Sequence, residues 1–333
     1  MKHYRFIIGI VTSLALFCSC DKNDYNSQKL DYRYEQITSN LNEIINCVYF
    51  IDSETGFAAN SGKIFKTIDS GANWSIDSLT DLPINSIYFV NNSIGFAVGG
   101  ESQCGGNGCI VPGSIVYKTS NSGNTWIKKT IPYEWSKLYS VFFIDENIGF
   151  AIGLGLQIKT IDGGETWEQF EFEYKGLMNK ILFIDSQIGF AAGLFGNIFK
   201  TINQGNSWTK TNNNSDGNIY DFCFINKKTG YACGQKEIVK TVDGGMSWVV
   251  LKNSPIEMYY IHFADENNGI AIGKGHYTGG DWGTWTNAIY FTYDGGKTWK
   301  MEDNINFGPI TSFPSNTEGF SVVRNSTFKI TIE

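Results

Sequence analysis

One nine-residue pattern, Lys/Phe-Thr-x-Asp/Asn-x-Gly-x-x-Trp, recurs six times along the chain and constrains its fold more than any other feature. The copies run from Lys66 to Trp74, Lys118 to Trp126, Lys159 to Trp167, Lys200 to Trp208, Lys240 to Trp248 and Phe291 to Trp299. Successive tryptophans lie 52, 41, 41, 40 and 51 residues apart. A constant interval interrupted twice describes one structural unit, repeated, with two insertions. A second motif precedes each copy: an apolar strand, a short polar turn, then Gly-aromatic-Ala-x-Gly or a close variant. Val141 to Asp145 leads to Gly149-Phe150-Ala151-Ile152-Gly153, and Ile181 to Asp185 leads to Gly189-Phe190-Ala191-Ala192-Gly193. The first glycine of this motif occurs at Gly56, Gly95, Gly149, Gly189, Gly230, Gly269 and Gly319.

Each unit reads as four strands: a buried first strand, the Gly-aromatic second, a third ending in Lys-Thr, and a fourth starting at the tryptophan. Units of about 40 residues with four strands each are the signature of a β-propeller, whose radial repetition leaves only short sheet edges. The predicted fold is all-β, a seven-bladed β-propeller of four-stranded blades over residues 34–333. The last unit stops before any box and lacks a fourth strand, while residues 31–40 form an unpaired segment at the other end. Joining the two closes the ring by an N-terminal strand added to the last blade. The 37 Gly against 6 Pro and the 15% aromatic content suit short strands joined by tight turns.

The box falls on the hairpin between third and fourth strands. Its acid can accept backbone N–H bonds, its glycine supplies positive φ, its threonine offers a second local bond, and its tryptophan packs between sheets. We therefore read Asp69 and Trp74, Asn121 and Trp126, Asp162 and Trp167, Asn203 and Trp208, Asp243 and Trp248, and Asp294 and Trp299 as structural. Six copies spread round a ring cannot converge on one substrate, and Asn121 and Asn203 replace the acid in two of them.

This box resembles the Asp-box, or BNR repeat, of sialidases, sortilin-type receptors, xyloglucanases and photosystem II assembly factor-like propellers, over residues 45–333. Gly-Phe-Ala-x-Gly followed by Lys-Thr-x-Asp-Gly-Gly-x-Thr-Trp looks most like the photosystem II assembly factor-like subgroup. That resemblance implies a non-catalytic ring offering a binding face. The subgroup's basic, arginine-bearing face is missing here, so its partner is not carried over.

Function in such a ring sits where the second-to-third-strand loops gather over the channel. Both insertions fall there, residues 100–114 in blade 2 and 274–288 in blade 6, and could wall one cleft. The three tryptophans outside the boxes, Trp135, Trp282 and Trp285, fall in loops of the same face. With His276, Tyr277 and Asp281 they are the candidate ligand-binding residues. Exposed indoles beside carboxylates suit stacking on sugars or anchoring a protein partner; the alternative is that they pack the loops against the blades.

Residues 1–19 have the form of a lipoprotein signal peptide. Lys2 and Arg5 precede an apolar run from Phe6 to Phe17, and Cys18-Ser19-Cys20 makes Cys20 the expected lipidated residue, with 20–33 a polar tether. Asp21-Lys22-Asn23-Asp24 looks like the surface-export signal of Bacteroidota lipoproteins. The expected place is the bacterial outer membrane, lipid-anchored and surface-exposed. Loss of residues 1–19 leaves 24 basic against 33 acidic residues, a charge near −9, which disfavours nucleic acid. Cys104 and Cys109 bracket a glycine-rich loop and are the candidate disulfide; a metal knuckle lacks further ligands. Cys223 and Cys233 either pair or pack, and Cys47 reads as a small buried hydrophobe.

Enzyme readings fare less well. Sialidases clamp their substrate carboxylate with three arginines, and the mature chain holds Arg33 and Arg324. Glu134, Asp281 and Asp303 could approach the cleft as a glycosidase pair, but nothing in the sequence sets their separation. His262 lies in an apolar strand, leaving His276 as the candidate base. No phosphate-cradling loop, metal site or cofactor is expected. The expectation is a binding protein for a protein partner in assembly or scaffolding, with carbohydrate binding or a glycoside hydrolase-like role as the alternative.

Overall fold

The computed structural model describes residues 29–101, 103–105, 108–110, 113–131, 136–277, 279, 285–302, 308 and 311–333, with the backbone alone for 103–105 and 108–110. Among these residues the strands group into antiparallel arrays of four: four separate sheets, two arrays joined in one seven-stranded sheet, and one array widened to five strands where Asn212–Asn213 pairs in parallel with Ser247–Val250, beside a small two-stranded hairpin. The fourth array is representative: Met178–Phe183, Gly189–Gly193, Ile198–Thr201 and Thr209–Lys210, each paired with the next. The strand Ser75–Phe89 serves two arrays, its start pairing with Lys63–Lys66 and its end with Gly95–Gly99. The last array takes its fourth strand from the other end of the chain. Tyr32–Thr38 pairs along Ser326–Ile332, from Tyr32 opposite Ile332 to Thr38 opposite Ser326. Beyond it, Asp31 and Glu333 exchange two backbone hydrogen bonds.

Buried side chains fall into seven clusters, each bridging one array and its neighbour. Six contain the same aromatic triad. The aromatic of one second strand stacks on the last phenylalanine of the next first strand, and the box tryptophan of that next array stands edge-on to the pair. Phe96 lies 3.7 Å from Phe143, with Trp167 at 5.9 Å. Tyr231 lies 3.6 Å from Phe263, with Trp299 at 6.1 Å. Across the chain ends, Phe320 lies 4.0 Å from Phe50, with Trp74 at 6.2 Å. The seventh cluster joins Ile270, Ile272, Ile289 and Phe291 to Phe328 and Ile330, with no box tryptophan. This packing explains the glycine that opens each second strand. A Cβ on Gly149 would sit 2.4 Å from the Phe143 ring, and one on Gly189 2.6 Å from Phe183.

The box turns are one hydrogen-bonding device in six copies. In the third, the Thr160 hydroxyl donates to Asp162 (2.8 Å) and accepts from the Gly164 amide (2.9 Å). Asp162 also accepts from the Thr166 amide (2.9 Å) and hydroxyl (2.6 Å). Where asparagine replaces the acid the pattern survives with one bond reversed: the Asn121 amide donates to Thr125 Oγ1 (2.9 Å), and the Asn203 amide to Ser207 Oγ (2.9 Å). The third-strand lysines then latch neighbouring units. Lys66, over the Phe57 ring, donates to Asn124 in the next box (2.8 Å), and Lys159, over Phe150, donates to Asn206 (2.9 Å).

Two expectations need amendment. Residues 274–288 are not simply a loop: the blade 6 hairpin continues as Gly269–Tyr277 and Trp285–Thr292. Within 100–114, Gln103–Gly105 and Gly108–Ile110 form a small hairpin, with Cys104 opposite Cys109 in register. Cys47, Cys223 and Cys233 are free thiols, so Cys223 and Cys233 pack without pairing.

The turn chemistry yields two expectations. Asp162→Asn should leave thermal stability nearly unchanged, because the reversed bond seen at Asn121 is available, whereas Thr160→Val should cost about 1–3 kcal/mol by stranding the Gly164 amide. Hydrogen bonds, above all from the Thr166 and Ser247 hydroxyls, hold the Asp162 and Asp243 carboxyls down at about 2. Their stabilisation is present above about pH 4 and is lost as pH falls towards about 2. The Asp162→Asn/Asp243→Asn variant should therefore show a shallower loss of stability across that window in acid titrations followed by circular dichroism.

Candidate functional site

Antiparallel pairing puts the box hairpins and the first-to-second-strand turns at one end of the ring, and the second-to-third and fourth-to-first connections at the other. Between the two ends lies a cavity of about 450 Å³ lined by the first strand of every array. Much of the lining is committed to holding neighbours together. The Asn85 amide donates to the Leu138 carbonyl (2.8 Å) and Asn179 to Ile219 (2.8 Å), while Ser140 Oγ accepts from the Ile181 amide (3.2 Å). Lys180 pairs with the buried Asp221 carboxylate at 2.8 Å, and Asp221 also accepts from the Ile261 amide (3.3 Å).

From the channel mouth an aromatic band runs outward over blades 5 and 6. Tyr220 and Tyr259 line the cavity with ring centroids 5.8 Å apart. Beyond them, Lys274 is ion-paired with Glu257 and places its ammonium 4.6 Å from the Trp285 ring centre. Trp285 in turn lies 5.4 Å from Tyr277. The hairpin that carries them is shaped by a register shift between Lys274 and Tyr277. There Thr286 Oγ1 accepts from the His276 amide (2.9 Å) and donates to its carbonyl (3.1 Å), and Tyr290 donates to the Lys274 carbonyl (2.7 Å). Trp285 is 54% exposed and Tyr277 46%, so this extension presents its aromatics to solvent instead of folding them onto the blade.

The structure therefore brings together three of the six expected binding residues, His276, Tyr277 and Trp285. Trp135, Asp281 and Trp282 lie outside the described residues, as do Glu134 and Asp303. His262 is a core residue: its Nε2 is 2.9 Å from the Asn316 carbonyl, its ring stacks 4.0 Å from Phe313, and burial lowers its pKa. Glu257, the carboxylate placed beside the platform, is held by Lys274.

Sequence reasoning missed four contributors to the same face. Leu154 and Phe195 stand exposed on the second-to-third-strand turns of blades 3 and 4, and Ile256 and Tyr259 at the entry to blade 6. Phe195 is the most telling. It is 68% exposed and adopts φ 55°. A bulky side chain gains nothing from that backbone region, where glycine is at ease. The signal lay in the pair Leu194-Phe195 between Gly193 and Gly196, an apolar dipeptide in a tight turn.

No family model matches the chain, and no curated protein is significantly similar to it. Among solved structures, YCF48 bound to a D1 peptide is similar over 93% of this chain and 98% of its own, with 18% identity and a TM-score of 0.67. YCF48 from Cyanidioschyzon merolae matches over 89% of this chain and 98% of its own, at 14% identity and a TM-score of 0.63. The GH74 xyloglucanase from Xanthomonas campestris matches over 89% of this chain but 53% of its own, at 10% identity and a TM-score of 0.66, so the chain spans about half of that enzyme. At these identities the likeness is one of fold, an all-β propeller.

If Phe195 is kept for contact and not for packing, Phe195→Gly should raise stability by about 1 kcal/mol or leave it unchanged. A clear drop in melting temperature would show that the side chain supports the blade.

Proposed function

We propose that this chain is a non-catalytic envelope lipoprotein, anchored through Cys20, that uses the loop-bearing face of a seven-bladed ring to hold a protein partner. The seven arrays are its blades, and Tyr32–Thr38 is the strand that closes it. One observation carries the reading: Leu154, Phe195, Ile256, Tyr259, Tyr277 and Trp285 are all exposed on connections and strand ends of blades 3, 4 and 6, at the same loop-bearing end. Large apolar side chains displayed on rigid scaffolds are costly unless something covers them, and aromatic anchors of this kind dominate protein interfaces. A propeller of the same fold has been solved with a bound peptide. The outer membrane, with exposure at the cell surface, is the compartment that fits Cys20 and the Asp21 to Asp24 segment. There an oxidised Cys104–Cys109 bridge would brace the blade 2 hairpin, since directly opposed residues of an antiparallel pair lie within disulfide reach.

Glycan binding is the second reading, favoured by the Tyr277–Trp285 pair and by the fold shared with GH74 enzymes. A photo-crosslinking amino acid at position 195 or 285 in cells separates the two. The protein reading expects a discrete crosslinked protein band that disappears when the other position is changed to Ala. Absence of any such band, together with binding of the purified protein to a polysaccharide that is lost in Trp285→Ala, would favour the glycan.

A further inference from the structure

The chain leaves the ring at a defined place. Ahead of the closing strand, the Leu30 amide donates to Asn268 Oδ1 (3.2 Å), Lys29 lies over the Tyr293 ring (4.4 Å), and the Tyr32 hydroxyl donates to the Gly269 carbonyl (3.3 Å). Asn268 belongs to the first-to-second-strand turn of blade 6, and Tyr293 is the middle residue of its Thr-x-Asp box. Lys29 and Leu30 therefore emerge on the box face, opposite the aromatic band. Glu333 ends at the same edge, paired with Asp31.

That face has a chemistry of its own. The residue that follows the box threonine is aliphatic in four boxes, Ile68, Ile161, Ile202 and Val242, each 68–71% exposed, and Met246 in the fifth box is 68% exposed. The box hydrogen bonds are made by the threonine and the acid on either side, so the turn makes no demand for an apolar residue between them. Acidic residues share this end, among them Asp52, Glu54, Asp145, Glu146, Asp185, Asp265 and Glu266, with Lys227 paired to Asp185 at 2.5 Å.

We propose that the box face is the side of the ring that lies against the lipid surface carrying Cys20, so that the aromatic band points away from it; this rests on the lipoprotein reading above. Ten residues separate Cys20 from Leu30, a reach of at most about 35 Å. Turning the ring over would spend about 23 Å of that reach running back along a seven-residue strand such as Tyr32–Thr38. About 12 Å would remain for the rest of the path from the ring to the lipid surface. The aliphatic circle then meets headgroups and the upper acyl region, and the acidic turns make a zwitterionic surface a better match than an anionic one.

Hydroxyl-radical labelling of the full lipidated protein tests this, comparing phosphatidylcholine vesicles with detergent micelles and reading each peptide by mass spectrometry. Labelling of Met246 should fall about twofold or more on vesicles while Trp285 and Tyr277 stay unchanged, and the protection should weaken on phosphatidylglycerol vesicles. Equal labelling of both faces, or protection of Trp285 and Tyr277 in place of Met246, overturns the orientation. The N-terminal peptide is weighed in the same experiment. A Cys20 without diacylglycerol overturns the lipoprotein reading itself, and the orientation with it.

Discussion

The fold depends on one contact repeated at six of the seven junctions: a box tryptophan set edge-on against two stacked aromatics from adjacent arrays. The contact requires three things at once. The hairpin must turn so that the indole points inward, which the Thr-x-Asp hydrogen bonds secure. The second strand must open on a residue with no side chain, because the neighbouring phenylalanine ring fills the Cβ position. Third-strand lysines such as Lys66 and Lys159 then tie the turn to the next unit. None of these parts stabilises a sheet by itself. Together they make each array the support of its neighbour, which is how a chain of four-stranded sheets becomes a single body.

The junction between blades 6 and 7 departs from the rule and shows what the rule is for. Blade 7 has no box, so its outer strand is Tyr32–Thr38, and its Phe328 and Ile330 pack on Ile270, Ile272 and Ile289 of blade 6, with Tyr32 against Phe291 (4.6 Å). Seven backbone pairings between Tyr32–Thr38 and Ser326–Ile332 do here what the covalent hairpin does elsewhere. The consequence for function is geometric. The closing strand begins and Glu333 lies at the box face, and the connections of the opposite face are tied to one another by backbone hydrogen bonds such as Gly196 to Gly217 and Glu257 to Gln235. That is where Phe195 holds an unfavourable backbone and where Trp285 stays exposed.

The fold was almost wholly readable from the sequence because its constraints are local and periodic. A glycine six residues after a phenylalanine, or an acid two residues after a threonine, marks the same contact every time it appears. Even the exchange of Asp for Asn at 121 and 203 was readable as structural, since both side chains can satisfy the turn. The candidate site was readable in part. His276, Tyr277 and Trp285 stood out as departures from the repeat. Leu154, Phe195, Ile256 and Tyr259 did not, because a lone apolar residue in a connection becomes informative only when its exposure is known. The longer repeat interval marked 274–288 as a loop, whereas cross-strand pairing out to Tyr277 and Trp285 carries the sheet further.

Native-state hydrogen exchange tests the central claim most directly, that the box turns and aromatic triads make one cooperative ring on which a separate binding face rides. The account predicts that the amides of Gly71, Gly123, Gly164, Gly205, Gly245 and Gly296, each donated to a box threonine, open together at the free energy of global unfolding. The amides around Phe195 and Trp285 should exchange by smaller, local openings. Blade-by-blade opening of the box amides, or protection of the loop face that matches theirs, would contradict it.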